Sequence, residues 1–453
     1  MKNKIPLDEN NINKLLLKLS MPAIIGMLVM SLYNVVDTIF VGQGVGTNGI
    51  GGVAIVFPLQ MIAGAIGLML GVGGASLLSR SLGENNIDKA NKTLGNVLSS
   101  TIIINLVLTV IGYIFVDELL LLFGVTDKLL PYAKGYLLII LAGLTFQSLS
   151  MALNNLVRAE GHAQAAMLTM VIPAVVNIIL DAVFIFGFNT GVKGAAFATI
   201  ISQVIGTILL ITFYLSERSE LKIQFNKPEL DLNIFKEIFL IGISVFIQHT
   251  AMSLLVVLIN RKLGEYGGNI YIAVYGVVIK LVMLLFTPII GIAQGLQPIV
   301  GFNYGSGNLT KMKKSLKLAT IYSTIFALLG TAVVLLFPAI IIRIFSDDPE
   351  LISKSKYALK FLLLAFPTVG FQVMGTTLFQ ATGKAYQTFL LSISRQILFL
   401  IPLIMLLPNF FQLTGVWISF PIADIMAAML TFLMIIKYKH YFKASAIRLK
   451  TKR

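Results

Sequence analysis

Asp181 and Asn177 stand four residues apart in the apolar run VIPAVVNIILDAVFIFG, and Asp37 with Tyr33 repeats that spacing in SLYNVVDTIFVG. Residues at i and i+4 share one face of a helix, so each acid has a hydrogen-bonding neighbour one turn before it. An ionised carboxylate at bilayer depth costs several kcal/mol, which makes an acid in such a run a functional-site hypothesis by default. Desolvation favours the protonated form of each, and closeness disfavours two negative charges together. Such a pair can exchange protons near physiological pH, or Asp37, Asn177 and Asp181 can hold Na+ with their oxygens. Thr199, and Asn154 with Asn155, are candidates to join the cluster. The competing reading is that of protonated acids acting only as glue between helices.

The elements that must position these residues are membrane-spanning helices. The chain has 453 residues, 57% hydrophobic and only 12% charged, against about 25% charged for a soluble domain. Apolar stretches long enough to cross a bilayer recur throughout. They predict an all-α polytopic membrane protein with twelve spans near 15–42, 51–78, 94–116, 132–156, 163–187, 194–215, 234–261, 270–300, 315–337, 355–379, 385–407 and 415–436. The polar stretch 217–233, with Lys222, Lys227 and Pro228, reads as a linker between an N-terminal lobe, 1–216, and a C-terminal lobe, 234–440. A basic tail, 441–453, follows. With the N-terminus inside, 24 of the 35 Lys and Arg residues fall on inner segments, nine on outer loops, and Lys280 and Arg395 within spans. That asymmetry is the positive-inside signature and puts both termini in the cytoplasm. It also accounts for the net charge of +15 without nucleic acid. The first apolar run continues into a full span and lacks a cleavage site, so no signal peptide is expected.

The chain repeats itself at an offset of 222 residues. GENNIDKAN at 83–91 falls on GSGNLTKMK at 305–313, and NNLVRAEGHA at 154–163 falls on TTLFQATGKA at 376–385. Phe123 falls on Phe345, and GAAFATI at 194–200 meets GVWISFP at 415–421 with the offset reduced to 221. A register that survives several loops marks a true repeat. Six spans return the chain to its starting side, so the two six-helix repeats run parallel, an arrangement suited to alternating access.

Several chemistries are excluded or demoted. The absence of cysteine removes disulfides and thiolate chemistry, and the three histidines lack zinc-ligand spacing. No cofactor is expected, and the chain does not read as an enzyme. The glycine-rich GLMLGVGGASLLSRSLG at 67–83 lacks the GxxxxGK[ST] pattern of a phosphate loop. It reads instead as a close-packing helix face, and no ATPase module or obligatory ATPase subunit is implied. Lys280 and Asp424 are expected to neutralise each other in the C-terminal lobe, with Arg395 on a carbonyl or water. Bends are expected where Pro22, Pro58, Pro173, Pro288, Pro298, Pro367, Pro402 and Pro421 fall inside helices.

On SLYNVVDTIFVG, SRSLGENN, LVRAEGHA and NIILD, the chain resembles the multidrug and toxic compound extrusion (MATE) family, nearer its DinF-like and MepA-like branches than the NorM-like one. The resemblance covers residues 12–440. It implies a V-shaped, two-lobed, monomeric exporter of the bacterial cytoplasmic membrane, driven by H+ or Na+ and expelling small amphipathic organic cations. It further implies an N-lobe cation site of Asp37, Asn177, Asp181 and Tyr33, with Thr199 and Asn154. The acids that NorM-like members carry in the seventh and tenth spans are missing here. Lys280, Arg395 and Asp424 lie outside the family pattern. A lipid-precursor flippase and a non-transporting scaffold are the alternatives; the first would show more cations along its cavity to hold diphosphate.

Overall fold

The structure, a computed structural model, describes residues 7, 9–223 and 230–451, with side chains as far as Tyr438. Its described elements are helical: α1 (Ile12–Val45), α2 (Thr47–Gly83), α3 (Ile87–Ile114), α4 (Val116–Leu122), α5 (Leu130–Ala159), α6 (Ala163–Asp181), α7 (Val192–Leu215), α8 (Leu232–Gly267), α9 (Asn269–Gly305), α10 (Leu309–Leu336), α11 (Pro338–Arg343), α12 (Pro349–Leu364), α13 (Phe366–Ala381), α14 (Ala385–Ile393) and α15 (Ile401–Thr451). A π-helical turn, Ala182–Gly187, continues α6, and a second, Ser394–Leu400, joins α14 to α15. Among the described residues, ten helices are long and apolar enough to cross a membrane, or eleven with the α12–α13 pair, which bends by 44° just before Pro367, counted as one span. Large apolar side chains such as Val107, Leu329, Val333, Met429 and Leu433 are exposed on their outer faces, as lipid contact requires. Buried hydroxyls and amides bond back to their own helices, for example Thr101 to Val97 O and Ser419 to Gly415 O.

The internal repeat extends to single hydrogen bonds. Asn86 caps α3 by accepting from Lys89 N at 2.9 Å, and Asn308 caps α10 by accepting from Lys311 N at 3.1 Å. Each cap satisfies one of the orphan donors of a helix start. Gly46 and Gly268, 222 residues apart, break the chain before α2 and α9 with φ of 86° and 75°, values that glycine adopts without steric penalty. Within α15, Gln412 is non-helical at φ 49°, ψ −129°. Its counterpart at the 221 offset is Gly191, which opens α7 at φ 62°, ψ −141°.

The chain forms two compact units, the first comprising Ile25–Gly242 and the second Glu9–Ile24 with the chain from Ile243 onward. In the first, α2 lies on α5 and α5 on α7. Backbones touch where side chains are absent: a Cβ on Gly67 would stand 2.6 Å from Ser148 O, and one on Gly242 would stand 1.9 Å from Met69 O. Val56, Leu59, Ala63, Leu137, Ile140 and Ala195 form the apolar floor between these helices. In the second unit α9, α10, α12, α13 and α15 pack together.

The segment after α7 is fastened to the first unit. Glu160, 2% exposed at the end of α5, accepts from Ser219 Oγ at 2.8 and 2.9 Å and from Glu220 N at 2.7 Å. Burial pushes its carboxyl up to about 7, against the opposing effect of those donors. Farther along, Lys222 N donates to Asn91 Oδ1 and Asp231 N to Asn96 Oδ1, both at 2.9 Å. Arg80 then meets Glu237 at 2.8 Å. Residues 224–229, with Lys227 and Pro228 of the expected linker, lie outside the described residues, as do the side chains of the tail at 441–453.

Candidate functional site

The first unit brings together five of the six residues singled out for it. α6 has apolar positions on its outer faces, while Asn177 and Asp181, 1% and 0% exposed, point inward. With its amide oriented to satisfy both neighbours, Asn177 donates to Asp181 Oδ2 at 3.0 Å and accepts from the backbone N of Thr199 at 3.2 Å. Thus α7 positions Asn177, and Asn177 positions the acid. Across from it, α1 carries Asp37 and, one turn earlier, Tyr33, both half-buried. The carboxyl groups of Asp37 and Asp181 are hydrogen-bonding neighbours, and Tyr33 lies within electrostatic range of both. Two carboxylates have no donor between them, so this contact becomes a hydrogen bond only when one of them holds a proton. Asp37 Oδ1 and Asp181 Oδ1 are buried with no hydrogen-bond partner among the described residues.

The sixth residue is elsewhere. Asn154 donates to Ala166 O at 2.7 Å and to Thr169 Oγ1 at 2.9 Å, near the start of α6. Thr169 precedes Asn177 by eight residues, about 12 Å along a helix, so Asn154 braces the base of α6 and not the acid pair. Asn155 is likewise occupied locally, with Met151 O and Arg158.

Two residues of the site have no counterpart in the sequence reading. Tyr136 of α5, 3% exposed, stands near Asp37 and Tyr33 and is a hydrogen-bonding neighbour of Gln60 and Thr199. The backbone carbonyl of Gln60 in turn accepts from Gln147 Nε2 at 3.1 Å. The only sequence signal for either is a polar group inside an apolar run.

The Asn177 and Thr199 contact leaves the two free carboxylate oxygens as the available ligands, hard donors suited to H+ or an alkali cation and not to a soft transition metal. No group of three or more His, Cys, Asp or Glu able to hold a metal ion occurs among the described residues.

In the second unit the expected pairing of Lys280 with Asp424 gives way to another. Arg395 Nε donates to Asp424 Oδ1 at 2.5 Å, while Lys280 is exposed. The reason is placement: the π-helical turn brings Arg395 against α15, the helix that carries Asp424.

A family model described as MatE matches residues 22–183 and 243–406. The multidrug export protein MepA of Staphylococcus haemolyticus is 28% identical over 446 residues, 98% of this chain and 98% of that protein. Among solved structures, a ligand complex of the MATE multidrug transporter DinF-BH is 42% identical, with a TM-score of 0.86 over 95% of this chain and 97% of its own. A MATE in complex with MaL6 is 26% identical, with a TM-score of 0.90 over 100% of both chains.

Proposed function

We propose, from the premise that this chain belongs to the MATE family of transporters and to its DinF/MepA-like branch, that it is a proton-coupled antiporter exporting small amphipathic, mostly cationic organic compounds by alternating access. The observation that carries the choice of ion is the closeness of the Asp37 and Asp181 carboxyls in a buried site, which a single shared proton turns from repulsion into a hydrogen bond. Proton entry cancels one negative charge in a buried site, and proton loss restores an uncompensated charge that a cation can neutralise. The carrier then reorients with either occupant, and exchange follows. Asn177, held by Thr199 N, keeps Asp181 in place through the cycle, and Tyr33 and Tyr136 supply neutral polar neighbours. Sodium coupling is the second reading, supported by the two unpartnered carboxylate oxygens.

The proposed topology is twelve spans in two lobes, of residues 1–216 and 234–440, with both termini in the cytoplasm. Its support is the break at Gln412, whose dihedrals resemble those of Gly191 between the fifth and sixth spans. The helical stretch Ala385–Tyr438 has 54 residues. At 1.5 Å per residue such a stretch is about 80 Å long, against a hydrocarbon core of about 30 Å, so two spans fit and one does not.

Purified protein in liposomes, loaded with a cationic dye and given either a pH gradient or a Na+ gradient alone, tests the reading. Export driven by the pH gradient in Na+-free buffer is expected. Export that requires Na+ would replace the proton by sodium, and no flux under either gradient would overturn the antiport assignment.

A further inference from the structure

The coupling chemistry proposed above leaves the Arg395–Asp424 pair of the second unit unused. Offsets of 222 and 221 map the two residues onto Pro173 and Gln203, each four residues from Asn177 and Thr199 respectively. The pair therefore occupies, in the second repeat, a place one helical turn from the counterpart of the Asn177–Thr199 contact. Both places adjoin π-helical turns, one starting just after Asp181 and the other containing Arg395. Such turns interrupt regular helix packing and occur often at functional sites.

The way the pair is made matters more than its presence. Asp424 is 1% exposed and engages Nε, the inner edge of the guanidinium. Among the described residues nothing else bonds Arg395, so both terminal nitrogens remain available, and the side chain is 21% exposed. A guanidinium whose outer edge met only hydrocarbon at membrane depth would be costly, so that edge must face water or a polar ligand. Gripped from the side, the planar group presents the parallel N–H pair that binds a carboxylate bidentately. The surroundings are aromatic. Trp417 and Phe420 lie seven and four residues before Asp424, on its face of α15. Tyr275 of α9 lies 6.4 Å from Phe420, ring centre to ring centre, and within electrostatic range of Arg395.

We infer that the second unit contains an anion-recognition site in which Arg395, oriented by Asp424, binds the carboxylate of an aromatic zwitterionic or anionic amphiphile. This extends the cargo beyond the cations proposed above and rests on that reading only for the step from binding to export. Asp424 is a positioning residue; Arg395 makes the contact.

Trp417 is the single tryptophan of the chain and lies two helical turns before Asp424 on α15, so its fluorescence gives one local readout. The full-length protein in detergent is titrated with 4-tert-butylbenzoate, the neutral 4-tert-butylbenzamide and cationic 4-tert-butylbenzylammonium, with equilibrium dialysis as the second readout. The wild type should bind the carboxylate at least tenfold more tightly than the amide. Arg395→Gln should lose at least tenfold for the carboxylate and leave the amide unchanged, and Arg395→Lys, which keeps charge without the fork, should fall between. Because Arg395→Gln strands Asp424, the double variant Arg395→Gln/Asp424→Asn removes both charges together and keeps the test valid if the single variant unfolds. Equal wild-type affinity for carboxylate and amide, or wild-type carboxylate affinity in the double variant, overturns the site. Failure of the wild type to export the ammonium probe, with the carboxylate preference intact, counts against the transport reading alone.

Discussion

Replacing Glu160 by Gln should stabilise the protein above neutral pH and remove a pH dependence that the wild type shows. The carboxyl is 2% exposed, and burial lifts it from an ordinary 4.5 to about 7 despite the Ser219 and Glu220 donors. Below pH 4.5 it is protonated in both folded and unfolded chains and contributes nothing to the difference. Between 4.5 and about 7 the folded protein retains a proton that the unfolded chain has lost, so stability falls as pH rises; above about 7 the full penalty is in place. At about 1.4 kcal/mol per pH unit that penalty is roughly 3 kcal/mol, an order-of-magnitude figure. Glutamine keeps a carbonyl for Glu220 N and carries no charge to desolvate, though its amide nitrogen cannot accept from Ser219 Oγ, a loss of about 1 kcal/mol. At pH 8 the variant should therefore exceed the wild type by about 2 kcal/mol, a Tm increase on the order of 2 °C for a chain of this length. Thermal unfolding in detergent at pH 5, 6, 7 and 8 measures both. A flat wild-type profile, or a variant less stable at pH 8, would show that the ionised anchor outweighs its desolvation and refute the reasoning.

Three further substitutions test the packing and the break. Gly242→Ala should cost about 2 kcal/mol, because its Cβ would meet the Met69 carbonyl at 1.9 Å, whereas Gly276→Ala in α9, where nothing stands within 4 Å, should gain about 0.5–1 kcal/mol from helix propensity. Their Tm values, measured side by side, should move in opposite directions. Gln412→Gly should stabilise by about 1 kcal/mol, since a side chain at φ 49° is strained and glycine is not; unchanged or lowered Tm would argue that the break carries no strain. Asn177→Ala should leave the fold intact but loosen Asp181, lowering gradient-driven flux more than cargo binding, as paired flux and binding measurements on one preparation would show.

What the sequence made legible was local. Asn177 and Asp181 are one turn apart on one helix, so their bond follows from spacing alone, and the Asn86 and Asn308 caps follow from the repeated loops. The meeting of Asp37 with Asp181 depends on two helices distant in sequence, which the i, i+4 pattern suggested without determining. Thr199 enters through its backbone N as well as its side chain, and no pattern of residue types encodes a backbone donor. Asn154 was assigned by likeness to the same cluster, yet its amide is spent at the start of α6. Tyr136 and Gln60 look like ordinary polar residues in apolar runs until α5 and α2 are packed against α1 and α7. The exchange of Lys280 for Arg395 as the partner of Asp424 turns on a π-helical turn, a departure from 3.6 periodicity that composition does not announce.

The most direct measurement is proton-driven flux through the two acid variants. In liposomes with an imposed pH gradient and no Na+, Asp37→Asn and Asp181→Asn should each lose at least tenfold in cationic dye export while the purified variants remain folded. Export at the wild-type rate in both would contradict coupling through the Asp37–Asp181 pair.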